Sequence, residues 1–105
     1  MDISIVIPVY NEEESIGELI NEITQALASK YKHEIIVVDD GSVDKTVGVL
    51  SKIKQELPTL RIIKHLQNSG QSTAIRTGVQ YAKSAWITTL DGDGQNDPAD
   101  IPNLY

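Results

Sequence analysis

A chain of 105 residues, 40% hydrophobic and 23% charged, has the make-up of one globular domain, or part of one, with a single core. It has no run near the roughly 18 to 20 apolar residues of a membrane helix, and its start, MDISIVIPVY, lacks the basic n-region of a signal peptide. The net charge of −6 argues against a nucleic-acid partner, and the absence of cysteine excludes disulfides and thiolate metal sites, which is compatible with the cytosol.

In chain order, ISIVIPV (3–9) reads as the first strand. Its near-continuous β-branched character suits a strand covered on both faces. In PVYNEE, Pro8 reads as the end of the ladder and Tyr10 as a flat face on which a base can stack. Asn11 reads as a helix N-cap, with Glu12, Glu13 and Glu14 favoured by the dipole of the helix they open. Ile16, Leu19, Ile20, Ile23 and Leu27 then fall on one helical face.

The second strand is EIIVVDD (34–40), after which Gly41 turns the chain and Ser42 or Asp44 caps the next helix. A carboxylate at this strand end can accept hydrogen bonds from a ribose or a base edge. Val47, Leu50, Ile53 and Leu57 mark the core face of the second helix, which stops before Pro58. The third strand, LRIIKHL (60–66), leads through NSGQS, where Gly70 and the following amides can face a phosphate. A helix follows on Ala74, Ile75, Gly78, Val79 and Ala82, with Arg76 further along it. His33, His65 and Trp86 have no partners at catalytic spacing and read as structural.

The last strand, WITTLD (86–91), runs into DGDGQNDP. Asp91, Asp93 and Gln95 alternate, so in an extended segment they point the same way. Two carboxylates at ~4 Å repel by about 4 kcal/mol at an effective dielectric near 20, which calls for a cation. Mg²⁺ or Mn²⁺ fits, because both take oxygen ligands and are held by a few carboxylates plus substrate phosphates. An EF-hand fails, since Asn96 stands where its glycine belongs and Pro102 where its glutamate belongs. A solvated Asp-Gly turn is the plainer alternative. Asp97 can cap a final helix with Pro98 at its first position.

The order β-α-β-α-β-α-β predicts a mainly parallel, Rossmann-like α/β sheet with flanking helices. Its polar clusters then collect on the rim at the carboxyl ends of the strands, where such sheets bind ligands. There is no P-loop, no G-x-G-x-x-G after the first strand and no nucleophile elbow.

Taken together, SIVIPVYNEEESI, IIVVDDGSVDKT, NSGQSTAIRTG and LDGDGQNDPADIPNL resemble the inverting glycosyltransferases of the A-type fold (glycosyltransferase family 2). Within them the likeness is to polyprenyl-phosphate sugar transferases of the dolichol-phosphate mannosyltransferase type. The resemblance extends over nearly the whole chain and implies the strand order 3-2-1-4 and a nucleotide-sugar site. It implies that Pro8, Tyr10 and Glu12 contact the nucleoside, with Val38 and Asp40 around the base. Asp91, Gly92 and Asp93 would meet the ribose and diphosphate, and Asp91, Asp93 and Gln95 would hold or orient the metal, with Asp91 and Asp93 as the catalytic pair. Gly92 and Gly94 stand where many relatives carry alanine and leucine, and Asn96-Asp97 where a His-Pro pair is frequent.

The donor would be a UDP- or GDP-sugar and the acceptor a lipid phosphate, reached through residues beyond Tyr105 at the cytoplasmic face of a membrane. On this reading residues 1–105 are a donor-binding part that does not transfer sugar alone, and its WITTL edge favours a homodimer. Two rival readings stay open: a nucleotide- and metal-binding module without catalysis, and a phospho-acceptor signalling domain, which the DGDGQ pair suits poorly.

Overall fold

The computed structural model describes residues 2–28 and 30–90. In order these form β1 (Ile3–Val9), α1 (Ile16–Leu27), β2 (His33–Asp39), α2 (Thr46–Glu56), β3 (Leu60–Lys64), α3 (Gln71–Tyr81) and β4 (Ile87–Thr89). The strands make one parallel sheet in the expected order β3-β2-β1-β4. β1 and β2 pair from Ile3–His33 to Val9–Asp39. They are central, which explains their composition: all of β1 and all of β2 after His33 are buried. A strand covered on both faces need not alternate apolar with polar.

Successive side chains enter two different layers. Ile3, Ile5, Ile7, Val9, Ile35 and Val37 pack with α1 and α2 on one face. On the other face Val6, Ile36 and Val38 meet Ala74 of α3. The five α1 residues that marked the helix in the sequence are the five it buries, each contributing about 1.5–3 kcal/mol.

In α2 the core stripe differs from the expected one. Val49 packs on the core in place of Val47, and Thr46 at the helix start is fully buried. Thr46, Val49, Leu50, Ile53 and Leu57 then repeat the spacing of the α1 stripe. The polar Thr46 hid the pattern.

On the opposite face α3 lies close to the sheet because of Gly78. A Cβ there would sit 2.3 Å from Val6 Cγ1 and 3.3 Å from Val38 Cγ2. This helix is anchored by small residues, and Val79 remains exposed.

Pro8 does not end the ladder; it pairs with Val38 inside β1. The Ser4 amide donates to Trp86 O and the Leu90 amide to Val6 O, so even-numbered residues of β1 turn their backbone polar groups toward β4. The N–H that proline lacks falls on that side, past Val6–Thr89, the last pair of β1 and β4. Proline is tolerated there because it removes no bond of the described ladder. Among the described residues no helix is long and apolar enough to cross a membrane.

Candidate functional site

The loops after β1 and β2 are joined by their own polar side chains. Asn11 has φ 53°, the left-handed region that asparagine enters more readily than most residues. In that conformation its amide donates to Ser42 Oγ at 2.8 Å, and its Oδ1 accepts the Val43 amide at 2.9 Å. Asn11 is therefore not the N-cap of α1; Ser15 holds that position. The Glu12 amide donates to Thr46 Oγ1 at 2.9 Å and the Glu13 amide to Asp44 Oδ2 at 3.4 Å. Neither residue expected to cap α2 holds its N-cap position, which is Lys45; Asp44, one residue earlier, still accepts the Thr46 amide at 2.9 Å.

Asp40 ties the third loop to this rim. Its side chain is almost wholly buried, and Oδ1 accepts the Ser69 amide at 2.9 Å and faces His65 Nδ1 at 2.8 Å. Its Oδ2 accepts the Gly70 amide at 2.8 Å. Burial by itself would raise the Asp40 pKa, but the hydrogen bonds from His65 and from the Ser69 and Gly70 amides hold it below the ordinary aspartate value. Gly41 completes the join: its φ is 79°, and a Cβ there would lie 2.7 Å from the Asn68 nitrogen. Only glycine lets the turn after β2 pack so closely on the 66–70 loop.

Beside it, Asp39 is fully buried, and neither carboxyl oxygen has a hydrogen-bond partner among the described residues. Unpaired buried carboxylates are costly. The carboxyl end of β2 thus holds acceptor capacity that the described residues leave unused.

The expected site residues separate into three groups. Tyr10, Glu12, Asp40 and Gly70 lie on the rim: Tyr10 is 44% exposed, and Glu12 Oε2 accepts the Ser15 hydroxyl at 3.2 Å. Arg76 lies on an exposed position of α3. Pro8 and Val38 are buried partners in the β1–β2 ladder, and the Val38 side chain packs under Gly78. The Val38 side chain therefore lies inside the core, beneath the rim. Asp91, Gly92, Asp93 and Gln95, with the Asp97 cap, lie outside the described residues. The chain reaches them from Leu90, at the carboxyl end of β4.

His65 has no partner at catalytic spacing along the sequence, yet in the fold it meets Asp40 and also Thr77 Oγ1, the latter at 3.0 Å. A signal was present. Asp39 and Lys64 are register partners, so in parallel strands the acid after one run and the histidine after the next stand side by side.

A parallel sheet of order β3-β2-β1-β4 with a polar carboxyl rim is shared by doubly wound α/β folds in general; the solved structures that it matches assign it to the A-type glycosyltransferase fold. A mannosyltransferase of Pyrobaculum calidifontis, solved in complex with GDP-Man and Mn²⁺, matches with a TM-score of 0.83 at 24% identity, over 93% of this chain and 29% of that one. S. aureus TarS in complex with UDP-GlcNAc matches with a TM-score of 0.76 at 30% identity, over 89% of this chain and 27% of that one. Residues 4–105 match glycosyl transferase family 2, and the chain belongs to that family. It is 42% identical to dodecaprenyl-phosphate galacturonate synthase of Rhizobium johnstonii, across 99% of this chain and 31% of that protein. It is 45% identical to undecaprenyl-phosphate 4-deoxy-4-formamido-L-arabinose transferase of Salmonella choleraesuis, across 97% of this chain and 32% of that protein. The chain thus spans about a third of the length of these relatives.

Proposed function

We propose that this chain is the nucleotide-sugar-binding part of an inverting transferase that moves a sugar from a nucleoside diphosphate to a polyprenyl phosphate. The observation that carries the reading is the rim itself. The sheet order brings Tyr10, Asp40 and Gly70 to the edge at which β4 delivers the chain to Asp91. The relatives named for polyprenyl-phosphate sugar transfer support the acceptor class, and the TarS complex supports a UDP-sugar as one donor to test.

Each rim group has a part in this reading. Tyr10 offers its ring to the base. Asp40 spends three acceptor positions on His65, Ser69 and Gly70. A carboxylate has about four, so one remains on Oδ2 for a donor on the nucleoside. Gly70, with φ 98° and nothing within 4 Å of a Cβ position, opens α3 without a side chain between its amides and a phosphate.

Asp91, Asp93 and Gln95 form an all-oxygen donor set, which fits Mg²⁺ or Mn²⁺. A divalent ion bound there supplies Lewis-acid stabilisation of the departing diphosphate. It also answers the charge problem of a chain of net −6 taking an anionic ligand. The acceptor phosphate is already anionic and needs no general base. We place the reaction at the cytoplasmic face of a membrane, where lipid phosphate and soluble nucleotide sugar meet.

Calorimetry with UDP and GDP, with and without Mn²⁺, tests the reading. Metal-dependent binding of one nucleotide is expected, abolished by Asp93→Ala with the fold retained by circular dichroism. Equal affinity in parent and variant with metal present would remove Asp93 from the site.

A further inference from the structure

We propose that His65 is a positioning residue of the nucleotide site, acting through Asp40; the inference rests on the reading above. The imidazole is held from both sides. Nδ1 lies 2.8 Å from Asp40 Oδ1, and Nε2 lies 3.0 Å from Thr77 Oγ1. Thr77 Oγ1 donates its proton to the Thr73 carbonyl at 3.0 Å, which leaves it the acceptor toward the ring. The Asp40 carboxylate is likewise an acceptor. Each ring nitrogen thus faces an acceptor. The ring bridges the carboxyl end of β2 and the body of α3, and its side chain is only 16% exposed.

The consequence falls on Asp40. Its Oδ1 takes both His65 and the Ser69 amide, while Oδ2 takes the Gly70 amide. With one oxygen doubly engaged, the carboxylate cannot rotate, and the remaining lone pair of Oδ2 is aimed in one direction. The same bonds fix the 66–70 loop against Gly41. Without the Nδ1 contact only the two loop amides hold the carboxylate, and the group with its 66–70 loop loses its tie to α3 and samples more than one orientation. The ligand must then select one orientation from several, which lowers apparent affinity by the fraction correctly placed.

Two amide side chains separate the two halves of the ring. The side-chain nitrogen of asparagine occupies the place of Nδ1, and that of glutamine the place of Nε2. His65→Asn therefore keeps a donor for Asp40 and loses Thr77, whereas His65→Gln does the reverse. Two readouts are taken on the parent chain and both variants, after circular dichroism shows that each is folded. The first is the amide proton shift and exchange rate of Ser69 and Gly70 by NMR, which needs no ligand. The second is the Kd for UDP and GDP with Mn²⁺.

We expect His65→Asn to keep the downfield Ser69 and Gly70 amides and a Kd within about threefold of the parent. We expect His65→Gln to move both amides upfield with faster exchange and to bind at least about tenfold more weakly. Thr77→Val should fall between them. If Asn and Gln behave alike in the amide readout, the ring is only packing and the inference is overturned. If the amide readout separates them while the Kd values do not, positioning has no bearing on affinity and the inference is likewise overturned. If the parent binds neither nucleotide, the donor-site reading falls, and the amide readout alone still decides whether His65 positions Asp40.

Discussion

Buried carboxylates stand at both ends of β2, Glu34 at its amino end and Asp39 and Asp40 at its carboxyl end, and the two ends are treated in opposite ways. At the amino end Glu34 is fully buried and receives the Ser4 hydroxyl at 2.6 Å, the Lys83 amide at 2.7 Å and Arg61 Nη1 at 3.1 Å. The partners are themselves tied down: the Ser84 amide donates to Ser4 Oγ, and Arg61 donates to the Tyr81 carbonyl. Four stretches of chain meet on one carboxylate. At the carboxyl end Asp40 retains one acceptor position and Asp39 has no partner among the described residues. One end is completed by the described residues; the other keeps acceptor positions that the described residues leave unused. In a parallel α/β sheet that asymmetry marks the ligand side.

The comparison is broken most severely at Glu34. Glu34→Ala leaves the buried Ser4 hydroxyl and the Lys83 amide without their acceptor, at about 1–3 kcal/mol each, while the partly exposed Arg61 turns to water. Urea unfolding should show that loss, while nucleotide affinity in the folded fraction stays at the parent value. A loss of affinity matching the loss of stability would show that the two ends are coupled and not separate.

Asp40→Ala should reverse the balance, weakening nucleoside diphosphate binding by about 1–3 kcal/mol, the range for hydrogen bonds to a charged group. Lys45→Ala, an exposed change at the start of α2, should leave binding as it was. Calorimetric titration of both variants checks the order, and a reversed result would put the pocket on the wrong side of β2.

Much of this was legible in the sequence, and what was hidden had physical causes. β1 was read to its exact bounds because seven buried residues give an unbroken apolar run. Of the expected 86–91 strand, β4 takes Ile87–Thr89, while Trp86 and Leu90 on either side still hydrogen-bond to β1; Asp91 lies outside the described residues. Asp40 stood out as one of two adjacent acids at a strand end. Glu34 did not, because one acid at the start of a strand looks like its boundary, and its partners lie 27 to 49 residues away. Asn11 was misplaced for a related reason: the same side chain that caps helices also bridges loops, and only the three-dimensional approach of Ser42 and Val43 decides between them.

Acid should sharpen the contrast less than mutation does. Burial would raise the Glu34 pKa, but the Ser4 hydroxyl, the Lys83 amide and Arg61 hold it below the usual glutamate value, and Asp40 is held low by His65, Ser69 and Gly70. Both pKa values are lowered on folding. Their contribution to stability is therefore fully present above the unfolded values near 4 and is lost as pH falls through the folded ones. Urea midpoints measured from pH 7 to pH 3 should hold steady above the unfolded values and then fall. The fall should be shallower in Glu34→Ala, which has one such group fewer; an identical acid limb would mean that Glu34 gains nothing from its network.

The smallest expected effect comes from Arg61, the one cation on Glu34 among the described residues. Its Nη1 lies between Glu34 Oε1 and the Tyr81 carbonyl, its guanidinium stands 5.9 Å from the Tyr81 ring centroid, and its side chain is 30% exposed. Arg61→Lys keeps the charge but not the planar fork that serves two acceptors and stacks on a ring. The ammonium can still reach Glu34, and water can reach the Tyr81 carbonyl, so the cost should be about 1 kcal/mol, near the upper range for partly exposed pairs. Denaturant midpoints of Arg61→Lys and Arg61→Met separate the terms. If both variants lose the same amount, charge is irrelevant and the fork alone matters. If only Arg61→Met is destabilised, the amino end depends on neutralising Glu34, and its wiring is electrostatic before it is geometric.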